Sequence, residues 1–302
     1  MLAVTRWARN GLRVPGRDCE DSTVRELTVE TTADPHRALS GAESYLMARP
    51  VEHNVLLTLL GERVAEPEPG RYWIVWGGHE VVGFAMQSPA TMPLLLSPMP
   101  GKVIEALADE VAASSSSLPG CAGEVSAAAL FAGRWSELVP EPVSTEEGQR
   151  LYRLATVRAA PQVPGTFRLA GPDDHDVLVR YRAEFCAETG AFGGDPGTMV
   201  RAETAASRLF VWDDGGVVST ARVTAGVAGV ARIGFVYTPG ESRGRGYAAA
   251  CVGALSARVR DVDGLECILF TQLANPTSNR LYRALGYEAI AERLSYRFGK
   301  GH

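Results

Sequence analysis

The sequence predicts an α+β chain built as two similar halves. The order helix, strands, helix, strand, helix, strand can be read between residues 35 and 160 and again between 161 and 302. In each half a glycine pair, Gly77-Gly78 and Gly215-Gly216, separates two apolar runs, the signal of an antiparallel hairpin. A third observation distinguishes the halves. Only the second contains Arg243-Gly244-Arg245-Gly246-Tyr247-Ala248, set between a strand-like run and a helix-like one.

The elements follow in order. Residues 1–34 are expected to be a poorly ordered extension, because Arg6, Arg9, Arg13 and Arg17 come without an acid or the apolar core of a signal peptide. Residues 35–61 read as helix, split in two by Pro50. Glu66 to Gly70 is a loop, and Tyr72 to Trp76 and Glu80 to Met86 are strands, with a third apolar run from Met92 to Leu96. Lys102 to Ala113 is a helix and Ser114 to Ser117 a break. A short strand is expected at Glu124 to Ala127, a helix at Leu130 to Leu138 and a strand at Leu151 to Arg158. Pro161 to Gly165 marks the boundary between halves. Beyond it come a strand at Phe167 to Ala170 and a helix opened by Pro172-Asp173-Asp174-His175. Gly190 to Gly197 reads as a flexible glycine-rich lid, followed by strands at Leu209 to Asp213, Val217 to Thr224 and Val230 to Tyr237.

The chain has 302 residues, 46% apolar and 22% charged, enough for sizeable cores. A net charge of −5 argues against a nucleic-acid partner. Five scattered cysteines and five scattered histidines show no disulfide or metal-site spacing, so no metal and a reducing, cytoplasmic setting are expected. No run of eighteen apolar residues is present, so no membrane span is expected.

The Arg243 to Ala248 stretch has the chemistry of a phosphate cradle. Its glycines permit positive φ and close approach of the backbone. The helix that follows, with Cys251, Val252, Leu255 and Val259 on one face, presents unpaired N–H groups at its positive end. A Walker loop is excluded because no Lys follows the glycines; a dinucleotide fingerprint survives in spelling, with Ala249 third, but lacks a βαβ setting. A second motif runs from Asn275 through Asn279, Tyr282 and Gly286 to Tyr287, after the apolar run Cys267 to Phe270. Asn275 or Ser278 caps its helix and Gly286 ends it.

Together these motifs resemble the GNAT N-acetyltransferase superfamily. Its coenzyme A loop, [QR]-x-x-G-x-[GA], is filled by Arg243, Gly246 and Ala248, and its second signature is an Asn followed by a short helix ending Tyr-x-x-x-Gly-[FY]. The resemblance covers residues 161–302. It implies two tandem GNAT-like domains, each a mixed, mostly antiparallel sheet flanked by helices, with residues 35–160 a degenerate copy. In that copy Ser97-Pro98-Met99-Pro100-Gly101-Lys102 stands where the loop belongs, and two prolines remove N–H groups.

What the resemblance implies for chemistry is acetyl transfer from acetyl-coenzyme A to a primary amine. Backbone N–H groups of Arg243, Gly244, Arg245, Gly246, Tyr247 and Ala248 would hold the pyrophosphate. Phe235, Val236, Tyr237 and Thr238 would line the pantetheine and polarise the thioester carbonyl. Asn275 and Asn279 would contact the cofactor, and Tyr282 would be the general acid for the leaving thiolate. The strand before the loop carries no carboxylate, so the base is sought at Glu184 and Glu188, four apart on one helix face, with Glu241 and Asp195 as alternatives. A module that binds acyl-coenzyme A without turnover, or an acyltransferase with a longer donor, is the alternative. The acceptor, a small-molecule or peptide amine, is not legible. The quaternary state stays open, a homodimer included.

Overall fold

The structure, a computed structural model, describes residues 26–115, 117–146, 148–190 and 194–299. The first half contains β1 (Leu27–Thr32), α1 (Pro35–Ala48), α2 (Asn54–Ala65), β2 (Arg71–Gly77), β3 (Glu80–Gln87), β4 (Leu94–Leu96), α3 (Gly101–Ser114), β5 (Gly120–Glu124), α4 (Val125–Leu138), β6 (Val143–Thr145) and β7 (Gln149–Leu154). The second contains β8 (Thr166–Leu169), α5 (His175–Thr189), α6 (Pro196–Ala205), β9 (Leu209–Asp213), β10 (Val217–Val223), β11 (Val230–Tyr237), α7 (Tyr247–Ala257), β12 (Glu266–Gln272), α8 (Pro276–Ala284) and β13 (Tyr287–Phe298).

Three helices open the same way. Asp34, Asp195 and Asn275 each accept a backbone N–H with their side chain, and Pro35, Pro196 and Pro276 follow at the first helical position. The cap satisfies an orphan donor, and the proline supplies the helical φ where no N–H is needed.

Several expectations are corrected. The strand β1 lies inside the segment 1–34 assigned to a disordered extension; its alternating Leu27, Val29 and Thr31 pair with β2, while residues 1–25 lie outside the described residues. The strand expected at Glu124 to Ala127 is instead β5, four residues earlier, because Glu124 turns its carboxylate onto the Ala127 N–H and starts α4. The small residues of Gly120-Cys121-Ala122-Gly123 hid that strand from a β-propensity reading. The end of the segment Gly190 to Gly197, expected as a lid, is helix instead. Asp195 caps α6 from Pro196 onward, and residues 191–193 lie outside the described residues.

The thirteen strands form one sheet, in the order β1-β2-β3-β4-β5-β13-β7-β12-β11-β10-β9-β8, with β6 alongside β13. Neighbours are antiparallel except β4 with β5 and β11 with β12. The order reads the same from both ends once β7 and β13 are taken as equivalent last strands. Each half has given its last strand to the other. From the first half, β7 lies against β12 of the second, and β13 of the second lies against β5 of the first. The two exchanged strands then pair with each other, Tyr287 opposite Leu154 and Arg293 opposite Gln149, which fuses the halves into a continuous sheet.

Each half buries both faces of its sheet. In the first, α3 and α4 cover one face around Trp73, Phe131 and Trp135, and α1 and α2 the other around Leu46, Tyr72 and Phe84. In the second, α7 and α8 cover a core of Ile233, Cys251, Leu255, Tyr282 and Tyr287, and α5 covers Phe235 and Tyr237. A small cluster of Val51, Leu151, Val230 and Ile268 bridges the halves.

Candidate active site

The site grows from a fork in the sheet. The parallel ladder of β11 on β12 runs from Val230–Glu266 to Ile233–Leu269 and stops. Gly234 to Tyr237 then diverge from β12 and keep pairing only with β10. A bulge accompanies the divergence. Register shifts between Thr220 and Arg222 of β10, and Phe235 takes φ 45°, a strained value for an aromatic residue. Its effect is visible in the packing. Ala231 and Ile233 point to the α7 and α8 face, whereas Phe235 points to the α5 face and Val236 returns to the first. The bulge thereby leaves a stretch of backbone facing the open side of the fork, an arrangement that accepts amide partners from an extended ligand.

The loop follows directly. A short turn over Gly240 to Ser242 leads to Arg243; Gly244 and Gly246 have φ 74° and 90°, and α7 begins at Tyr247. The conformation calls for glycine, and a Cβ on Gly246 would also be crowded, 3.0 Å from the Val163 side chain. The Tyr247 hydroxyl donates to Asp214 of the β9–β10 turn and pins the helix start. These features fit a pyrophosphate at the helix N-terminus. Arg245 is exposed beside the Tyr247 ring, with no acid partner among the described residues. Arg243 is turned back: its Nε donates to the Thr238 carbonyl and its Nη2 to Glu188 at 2.7 Å.

The structure brings Glu184 and Glu188 to this loop. The Tyr237 hydroxyl donates to Glu184 at 2.8 Å and sits 3.4 Å from Glu188. Burial, then the bond to Glu184, raises the Tyr237 phenol to about 12, so it keeps its proton at neutral pH. Of the two acids, Glu188 is neutralised by Arg243, and Glu184 holds the Tyr237 hydroxyl. Asp195 is committed to capping α6.

Tyr282 lies in the α7 and α8 core, its ring near Tyr152 and Tyr287. Its hydroxyl has no hydrogen bond among the described residues, and burial raises its pKa strongly. The side chains of Asn275 and Asn279 have structural partners. Asn275 caps α8 by accepting from the Ser278 N–H. Asn279 is buried, donates to the carbonyls of Gln272 and Asn275, and accepts from the Tyr152 hydroxyl at 2.9 Å. Its amide ties α8 to the end of β12 and to the exchanged strand β7.

Among the described residues, the first half has no glycine of positive φ immediately ahead of its corresponding helix, α3. A Cβ on Gly83 would lie 2.7 Å from the Met99 sulfur, so Met99 fills the space beside β3. The Tyr45 hydroxyl donates to the Pro98 carbonyl and closes the turn further. Here α3 begins after Pro100 with no side-chain cap.

Residues 224–296, which contain the fork, the loop and α8, match the model of a family described as FR47-like protein. Comparison of the sequence with curated proteins finds no match. Among solved structures, an acetyltransferase from the GNAT family of Colwellia psychrerythraea superposes with a TM-score of 0.58 at 13% identity, over 90% of this chain and 100% of its own. A GCN5-related N-acetyltransferase from Sphaerobacter thermophilus gives 0.60 at 15% identity, over 91% and 98%. A tandem GNAT protein from the clavulanic acid biosynthesis pathway gives 0.55 at 15%, over 92% of this chain and all of that one. The chain has a tandem GNAT fold. Both GNAT halves are therefore present, and the loop and fork belong to the second. Sequence reasoning missed the bulge at Phe235, the Tyr237–Glu184 bond and the exchange of strands. Only the first of these had a signal, the glycine at 234 just before it.

Proposed function

We propose that the chain is an N-acetyltransferase that moves an acetyl group from acetyl-coenzyme A to a primary amine by direct attack in a ternary complex. The observation that carries this reading is the open fork between β11 and β12, ending in a glycine-shaped helix N-terminus. Acetyl-coenzyme A supplies the activated thioester when bound. Backbone groups of Phe235 to Thr238 would line its pantetheine arm, and the loop from Arg243 to Ala248 its pyrophosphate. An N–H at the bulge serves the carbonyl oxygen. Tyr282, held protonated by burial and with a free hydroxyl, is the acid for the departing sulfur. Glu184 is the base, taking the ammonium proton directly or through water.

The test is incubation with acetyl-coenzyme A and a panel of amines, with free thiol as readout. Thiol release that depends on the amine and is lost in Glu184→Gln supports the reading. Tight coenzyme A binding without release for any amine supports the second reading, a binding module. The absence of a carboxylate on β11 favours that reading. Release that speeds up with longer acyl donors changes the acyl group but not the class.

A further inference from the structure

Four arginines lie on the face of the sheet opposite α7, and only two of them pair with a carboxylate among the described residues. Arg182 of α5 and Arg222 of β10 both address Glu203 of α6, at 2.8 and 3.4 Å. Arg232 of β11 and Arg293 of β13 form no ion pair among the described residues. Arg232 donates to Asn54 Oδ1 at 2.9 Å, and Arg293 stands over the Phe270 ring of β12 at 5.6 Å. Glu62 of α2 acts on Arg222 and Arg232 only through space. Burial lowers Arg232 and Arg293 to about 10 each, yet all three sheet arginines keep partial contact with solvent. Two buried donors nearby lack a hydrogen bond, the Nδ2 of fully buried Asn54 and Arg222 Nε, which has only the 3.4 Å ion pair to Glu203; Glu203 Oε2 is likewise without a hydrogen bond.

Guanidinium groups packed among protein atoms without counter-ions are costly, and unpaired donors beside them add to the cost. A bound anion removes both penalties.

The place of the cluster names what binds. Arg222 lies over Gly234, the residue before the bulge; a Cβ there would be 3.7 Å from an Arg222 Nη. Arg232 precedes that bulge on the same arm, and Arg293 covers the other arm at Phe270. The helix α7 occupies the opposite face, so a thioester donor held at its N-terminus comes from that side and the acceptor from this one.

We infer that this cluster is the subsite for an anionic group on the acceptor, which is then an amine carrying a carboxylate or a phosphate. The inference rests on the N-acetyltransferase reading for the word acceptor, but the anion site stands on its own geometry.

The experiment compares β-alanine, O-phosphoethanolamine, propylamine and 1,3-diaminopropane. Each is titrated calorimetrically into the protein with free coenzyme A, and each is assayed for thiol release with acetyl-coenzyme A. The expected result is binding and release for an anionic amine only, with the carboxylate and phosphate arms identifying the anion. Arg293→Gln and Arg232→Gln are expected to raise the dissociation constant of that amine about 10- to 100-fold. Arg293→Lys restores part of it. The unfolding midpoint of Arg293→Gln stays level or rises, since the change removes a buried charge without a partner. Equal use of propylamine or 1,3-diaminopropane overturns the inference and leaves the transferase reading intact. So does undiminished binding of the anionic amine in both glutamine variants. Failure of both anionic amines to bind overturns it as well. Binding of an anionic amine without thiol release supports the anion site and counts against the transferase.

Discussion

At the residue scale, burial raises the phenols of both Tyr237 and Tyr282, and the two differ in their partners. Tyr237 is tied to Glu184, whereas the Tyr282 hydroxyl has no hydrogen bond among the described residues. Tyr282→Phe is expected to lower kcat on the order of 100-fold with little change in KM for acetyl-coenzyme A. Steady-state thiol release checks it, and an unchanged kcat sinks the acid role. A second residue reports on stability. The Arg168 guanidinium, with the Gly171 N–H, holds the Asp174 carboxyl below its usual value against the opposing effect of burial. A folded pKa below the unfolded one contributes stability fully present above the unfolded value, near 4, and lost as pH falls through the folded value. Asp174→Asn should therefore cost about 1–2 kcal/mol at neutral pH, with Arg168 partly exposed and the loss discounted for it. Chemical denaturation at pH 7 and pH 3 should show that difference shrinking in acid.

At the element scale, what the sequence discloses depends on whether local chemistry decides the element. The openings of α1, α6 and α8 are written as an Asx cap followed by proline, and the start of α7 as glycines with positive φ. The loop could be read for that reason. The bulge in β11 had only Gly234 to announce it, because it accompanies the divergence from β12, a tertiary event. Asn279 shows the same limit from the other side. Its position in the motif matches a cofactor contact, yet its amide is used by Gln272, Asn275 and Tyr152, residues brought together only by the folded sheet. Gly246→Ala tests the loop as an element. Its φ of 90° and the crowding by Val163 should displace the start of α7 and weaken coenzyme A binding at least several-fold, with the far-UV spectrum unchanged. Unaltered affinity by calorimetry would show that the loop does not grip the ligand.

At the scale of the whole molecule, duplication was legible from the repeated order of elements, but the exchange of last strands was not. Either pairing gives β7 and β13 the same alternation of buried and exposed residues, so no pattern along the chain distinguishes them. The exchange predicts that a cut between residues 160 and 161 yields two fragments that fail to fold singly. Each then lacks the strand beside β5 or β12. Mixed together they should recover a cooperative melt, read by circular dichroism. Independent folding of either fragment alone would contradict the exchange.

The same pairing has a consequence in time. The edge of β5 waits for β13, among the last strands made, while β7 is ready long before β12 emerges. At ~5–20 residues per second, the wait is on the order of ten seconds or more. Through that interval the nascent chain carries an unpaired strand edge, the kind that recruits neighbours on a polysome. Glycine and alanine fill most of β5, and such a poor β-former is a weak template for the wrong partner. The composition that concealed β5 from a sequence reading is thus suited to a strand that must stay single until translation is nearly over.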